Sequence, residues 1–162
     1  MTKKISKTPA MRVLETAGIS YIPHDLTMPE GTTDAITVAE LLKVDPLRVF
    51  KTLVCQADDG SLLVAIIPGA SKLDLKKLAK SAGHKSCQMI KNADLKPLTG
   101  YIHGGCSPFA MKKDFPCFVE SYAEAYDTIF VSAGQIGRQL EIAPQALIDF
   151  RGATFADLIQ DQ

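Results

Sequence analysis

The strongest pattern along the chain is a pair of apolar, β-branched runs. Val49 to Ala57 and Leu62 to Pro68 flank Asp58-Asp59-Gly60-Ser61, which predicts a β-hairpin. Helical spacing flanks this hairpin. Residues 8–18 put Val13, Leu14 and Ala17 on one stripe, with Thr8 as N-cap, Pro9 in the first turn and Gly18 as the stop. Ile19 to Leu26 reads as a strand. Asp34 to Val44 predicts a second helix through Ile36, Val38, Ala39, Leu41 and Leu42, ended by Asp45-Pro46. Leu73 to Ser81 predicts a short lysine-rich helix with Leu75, Leu78 and Ala79 inside and Gly83 after it. Residues 91–97 predict another short helix, and residues 99–109 are glycine-rich and irregular. Phe118-Val119, Thr128 to Ser132 and Leu140 to Ile142 read as strands. Pro144 to Phe150 and Thr154 to Ile159 read as two closing helices.

Helices and strands alternate at the start, but hairpins dominate the middle. That order predicts an α+β domain, a mixed sheet with helices packed outside it, over a doubly wound parallel sheet. The 162 residues hold no repeat or linker, so residues 1–162 read as a single domain. No glycine-rich phosphate-binding fingerprint is present, so nucleotide-binding folds of those kinds lose support.

Composition narrows the setting. Hydrophobic residues are 46% and charged residues 22%, as in ordinary globular domains. Four cysteines without a C-x-x-C pair are too scattered for a disulfide framework. No run approaches the ~20 apolar residues of a membrane span, and no apolar stretch follows the basic N-terminus. The expectation is a cytoplasmic protein with no membrane contact. Net charge is zero but uneven: Lys72 to Lys96 holds seven lysines against two aspartates, and Asp114 onward holds eight acids against two arginines. Such a stripe is either a solvated helix face or a surface for phosphate.

Three places carry candidate chemistry. Lys51 interrupts an apolar strand, on the face of Val49, Leu53 and Cys55, while Thr52 shares the other face with Phe50 and Val54. An ammonium there needs a partner or a pocket, unless it guards a sheet edge or snorkels to water. Gly104-Gly105 allows backbone N–H groups to approach a ligand, or makes a plain turn. Ser132 ends a strand before Gly134, as a ligand contact or only a turn residue.

Together these pieces resemble a family. Phe-Lys-Thr-Leu at 50–53, Thr-Gly-Tyr-Ile-x-Gly-Gly-x-Ser-Pro at 99–108 with Lys112-Lys113 behind it, and Phe-Val-Ser-x-Gly at 130–134 resemble the YbaK/ProX trans-editing deacylases. Leu73 to Lys80 and Ile19-Ser-Tyr with His24 fit as well. The likeness runs nearly end to end. It implies a barrel-like mixed sheet surrounded by helices, and metal-independent, cofactor-free clearing of mischarged tRNA. The family's lysine falls on Lys51, its pocket glycine on Gly104 and its pocket serine on Ser132, the three implied catalytic positions. Thr52, Gly105 and Leu26 are the implied substrate-binding positions. Leu26 stands where the family carries tyrosine, Gln135-Ile136 replaces a basic pair and Gln139 replaces an acid; these departures bear on amino-acid specificity.

The nearest branch is the Cys-tRNA(Pro) deacylase one. It implies attack by the substrate's own thiol, a tRNA acceptor end as ligand and prolyl-tRNA synthetase as a possible partner. Alternatives are a deacylase for another small amino acid such as alanine on tRNA(Pro), or a non-catalytic tRNA- or synthetase-binding module. Two rival chemistries use other residues: a zinc site drawing on His103, Cys106, Cys87, Cys117, His24 and His84, and a nucleophilic Cys106 with His103 as base.

Overall fold

Thr8 starts the first helix as predicted. In the computed structural model, which describes residues 6–161, the Thr8 hydroxyl accepts from the Met11 N–H at 3.3 Å, opening helix α1 (Pro9–Thr16). Its fully buried residues are Ala10, Met11 and Leu14, with Val13 only partly covered. Beyond Gly18 the Ile19 N–H returns to the Leu14 carbonyl at 2.9 Å. Strand β1 (Ile22–Asp25) is shorter than the 19–26 run. Helix α2 (Ala35–Leu42) is capped by Asp34, which accepts from the Thr37 N–H at 2.9 Å. It ends at Lys43, in left-handed conformation, before Asp45-Pro46 is reached.

The predicted hairpin forms strands β2 (Phe50–Ala57) and β3 (Leu62–Pro68), paired from Phe50–Pro68 to Gln56–Leu62. Val54, Val64 and Ile66 enter the main core with Met11, Leu14, Val131 and Leu140. Cys55, Leu63, Ala65 and Ile67 pack on the opposite face against Leu78 of helix α3 (Leu75–Ser81). Burial on both faces explains why these runs are continuously apolar rather than alternating. Each fully buried Leu or Ile contributes ~1.5–3 kcal/mol.

Strand β4 (Cys87–Met89) pairs antiparallel with the far end of β2 and was not foreseen. Helix α4 (Asn92–Thr99) leads into the glycine-rich loop. Strand β5 (Cys117–Glu120) runs parallel to β3. Strands β6 (Ile129–Ser132) and β7 (Arg138–Ile142) join β1 in an antiparallel sheet of order β1-β7-β6. Helix α5 (Pro144–Asp149) precedes strand β8 (Thr154–Ala156), which completes a mixed sheet of order β4-β2-β3-β5-β8. The fold is α+β as read. Its two sheets meet at one parallel bridge, Val49 with Phe130, and do not close into a complete barrel.

One predicted element is corrected. Thr154 to Ile159 is not a helix; Thr154–Ala156 pairs in parallel with Phe118–Glu120. Side chains alternate there, Ala153 and Phe155 toward the main core, Ala156 and Leu158 toward the α3 side. Beyond the strand, the buried Glu120 carboxylate accepts from the Leu158 N–H at 2.9 Å. The exposed hydrogen-bonding edge of β5 is satisfied by extended chain, and that long-range demand overrides local helical spacing.

Candidate functional site

Hydrogen-bond direction along β2 creates the site. The Gly69 N–H donates to the Val49 carbonyl at 2.8 Å, and the Ala57 N–H donates to the Ser61 carbonyl at 2.8 Å. Odd-numbered residues of β2 therefore bond toward β3, and even-numbered residues face the other edge. On that edge β6 meets the chain at Val49, and β4 occupies it from Cys55 onward. Thr52 lies in the gap between: it sits opposite Ile66 of β3, but its own N–H and C=O point to the other edge, where among the described residues no strand pairs with it. The gap opens into a cavity of about 290 Å³. Its wall combines β2 from Val49 to Val54, the start of α2, the Gly104 loop, and Ser132 and Gln139 of the second sheet.

Lys51 is half-buried and, among the described residues, has no ion pair or side-chain hydrogen bond. Burial pulls its pKa below the ordinary lysine value, and no neighbouring charge opposes that pull. A cation left unpaired in a partly dry cavity favours an arriving anion. The Thr52 hydroxyl is buried and, among the described residues, has no hydrogen-bond partner. The Ser132 hydroxyl accepts from the Gly134 N–H at 3.0 Å, which leaves its own proton free to donate.

Gly104 has φ 84°, and a Cβ on it would stand 2.8 Å from the Thr33 Cβ. Only glycine lets this loop lie against the start of α2 in that conformation. Among the described residues the Gly104 N–H has no acceptor, whereas the Gly105 N–H is already bonded to the Ile102 carbonyl at 3.0 Å. Gly105 packs on the Gln135–Ile136 backbone and is not part of the cavity wall. Leu26 is also outside the wall, packed with Val38, Ala39, Val49 and Phe130. The structure thus gathers Lys51, Thr52, Gly104 and Ser132 on one cavity and leaves Gly105 and Leu26 behind it.

Among the wall residues not named as site positions from sequence, Gln139 stands out. It stands directly opposite Ser132, and its side-chain oxygen is buried with no partner among the described residues. Its signal in the sequence is that Gln139 stands where the resembled family carries an acid, a departure that bears on amino-acid specificity.

The rival chemistries lose ground on geometry. Cys106 lines the cavity, but burial pushes its thiol up to about 12, so it stays protonated. Among the described residues no hydrogen bond joins it to His103, and no three His, Cys, Asp or Glu side chains gather as a metal would need. His24 pairs with Glu141 at 3.0 Å and His84 with Asp58 at 3.3 Å. In the lysine stripe, Lys77 is held by Asp157 and Asp161 at 3.0 and 3.1 Å, while Lys72, Lys76, Lys80, Lys85, Lys91 and Lys96 are exposed.

Relatives match this chain along nearly its whole length. A protein of Enterococcus faecalis, provisionally named Cys-tRNA(Pro)/Cys-tRNA(Cys) deacylase EbsC, is 43% identical over 156 residues, 96% of this chain and 95% of that one. A crystal structure provisionally described as a trans-editing enzyme for prolyl-tRNA synthetase superposes with TM-score 0.82 at 24% identity, covering 98% of this chain and all of that one. The crystal structure of hypothetical protein APE2540 superposes with TM-score 0.84 at 23% identity, covering 92% and 97% of the two chains. At those identities the two structures establish the fold. The family model described as the aminoacyl-tRNA editing domain matches residues 29–150. With that match and the 43% relative, the chain belongs to the aminoacyl-tRNA editing domain family.

Proposed function

We propose that this chain, as one editing domain, deacylates mischarged tRNA, with Cys-tRNA(Pro) as the preferred substrate and Cys-tRNA(Cys) as a second. The observation that carries this reading is the unpaired Lys51 ammonium in a small cavity with Thr52, Gly104 and Ser132 around it. The name carried by the 43% identical relative supports the choice of cysteine.

Lys51 holds the phosphate of the terminal nucleotide, as a cation without a carboxylate of its own is fitted to do. The Gly104 N–H donates to the ester carbonyl oxygen as charge develops there. Ser132 and Thr52 orient the aminoacyl group, and Gly105 and Leu26 support the wall from behind. The reaction needs no protein nucleophile. The substrate's thiol sulfur bonds to its own carbonyl carbon, the C–O ester bond breaks, and the thiol proton ends on the released ribose oxygen. The thiolactone formed then hydrolyses in water. The protein's contribution is orientation and charge stabilisation.

The product of cysteine mischarging on a proline tRNA is a chemically reasonable target. A synthetase site separates ligands differing by a small apolar group by only ~1–3 kcal/mol, so a second check is required. The cavity accepts an aminoacyl group, not the body of a tRNA. We propose that prolyl-tRNA synthetase helps to hold the tRNA; the zero net charge gives this chain weak non-specific attraction to RNA. The site of action is the cytoplasm, where the four free cysteines stay reduced. No helix among the described residues is long and apolar enough to cross a membrane.

The test is deacylation of Cys-tRNA(Pro) beside S-methylcysteinyl-tRNA(Pro). Loss of the first ester and persistence of the second is expected, because methylation removes the attacking thiol. Equal cleavage of both refutes thiol assistance.

A further inference from the structure

Two buried side-chain oxygens among the described residues have no hydrogen-bond partner, Thr52 Oγ1 and Gln139 Oε1, and both residues line the same cavity. A buried polar group left unsatisfied costs about 1–3 kcal/mol. Two of them, one from each sheet, on one cavity indicate a place kept for a donor that arrives with the ligand. Gln139 is only 6% exposed. Its strand holds it in place, because the next residue, Leu140, is fully buried in the main core. Neither cross-strand neighbour satisfies it. Ser132 is directly opposite on β6 without bonding to it, and His24, opposite on β1, is engaged by Glu141.

We infer that Gln139 reads the α-amino group of the aminoacyl ester, its Oε1 accepting from the ammonium with Thr52 Oγ1 as the companion acceptor. This rests on the deacylase reading above. An ammonium supplies three donors and no acceptor, which suits two oxygens lacking donors. The ribose hydroxyls can equally accept, so they do not call for two bare acceptors. Asp34, the carboxylate on this wall, is exposed and already accepts from the Thr37 N–H and hydroxyl. A neutral amide also grips an ammonium without drawing the Lys51 cation into an ion pair, as a carboxylate in the same cavity can.

The consequence is a specificity. An N-acylated aminoacyl ester, the chemistry of peptidyl-tRNA, carries a single amide N–H, no charge and an extra carbonyl. It is rejected at Gln139, so the protein spares peptidyl-tRNA while clearing free aminoacyl-tRNA.

The test compares Cys-tRNA(Pro) with N-acetyl-Cys-tRNA(Pro), whose thiol is intact. Wild-type protein is expected to favour the free amine by about 10- to 100-fold in kcat/KM. In Gln139→Met, which keeps the length but not the acceptor, the ratio of the two rates collapses toward one. Gln139→Glu, which keeps an acceptor, retains a preference for the free amine and guards against Met simply failing to fold. A wild-type ratio near one, or a ratio unchanged in folded Gln139→Met, overturns the inference while leaving the deacylase reading standing. Wild-type protein that cleaves neither ester overturns both together.

Discussion

Lys51 and Thr52 are neighbours in β2 with side chains on opposite faces of the sheet, yet both line one cavity. They do so because the cavity opens at the strand's unpaired edge rather than on either face. A ligand at that edge meets a cation from one side, a hydroxyl from the other and the Thr52 main chain between them. The gap between β4 and β6 along β2 is therefore the feature that makes the site.

Replacing the lysine separates function from stability. Lys51→Met is expected to lower kcat/KM by at least about a hundredfold, the size seen when one preorganised transition-state contact is lost. The fold does not suffer. Burial lowers the Lys51 pKa in the folded chain, so the folded state binds fewer protons than the unfolded one between the lowered value and the ordinary lysine value. Stability therefore rises with pH through that window, and below it the charge opposes folding. Thermal melts at neutral pH should show a Tm for Lys51→Met equal to or above wild type. A lower Tm contradicts this account of Lys51.

The same lysine should titrate visibly. Carbon NMR of the Lys51 Cε is expected to show a midpoint below those of the exposed lysines, because burial disfavours the ammonium. Adding a nucleoside monophosphate should raise that midpoint, since a phosphate favours the charged amine. A midpoint indifferent to the nucleotide argues against phosphate contact at Lys51.

Gly104→Ala tests the loop. Its φ of 84° disfavours alanine, and the new Cβ meets Thr33 at 2.8 Å. Together these should cost about 1–3 kcal/mol, a fall in Tm of roughly 3–10 °C. Thr33→Gly in the same chain should recover part of the loss by removing the contact. No recovery places the whole cost in the backbone conformation.

Cys106 is expected to be dispensable. Its thiol, pushed up to about 12, supplies almost no thiolate at neutral pH. Cys106→Ala should deacylate Cys-tRNA(Pro) within about threefold of wild type, the small change ordinary for a residue that only packs. Loss of activity in a folded variant restores Cys106 as a reacting group.

Local physics made most of the fold readable. The Thr8 cap, the helix read from Asp34 onward and the Gly60 turn depend on residues within a few positions of one another, and all are found. The two elements that escaped, β4 and β8, are three residues each and exist only by pairing with distant strands. Lys51 was legible because a charge interrupts an apolar run, and Ser132 because a hydroxyl ends one. Gly104 and Gly105 look alike in sequence, and only the fold shows that the first faces the cavity and the second faces Gln135–Ile136. Gln139 was visible in the sequence only as a departure from the resembled family's acid; that its side-chain oxygen is buried with no partner among the described residues is a feature of the fold that no sequence displays.

The most direct measurement places Cys-tRNA(Pro), Cys-tRNA(Cys) and Ala-tRNA(Pro) side by side with wild-type protein and Lys51→Ala, with and without prolyl-tRNA synthetase. Wild type should strip cysteine from tRNA(Pro) fastest, leave the alanyl ester largely intact, and lose that activity when Lys51 becomes alanine. Cys-tRNA(Pro) that binds wild type but stays charged, or is cleared equally well by folded Lys51→Ala, contradicts the account.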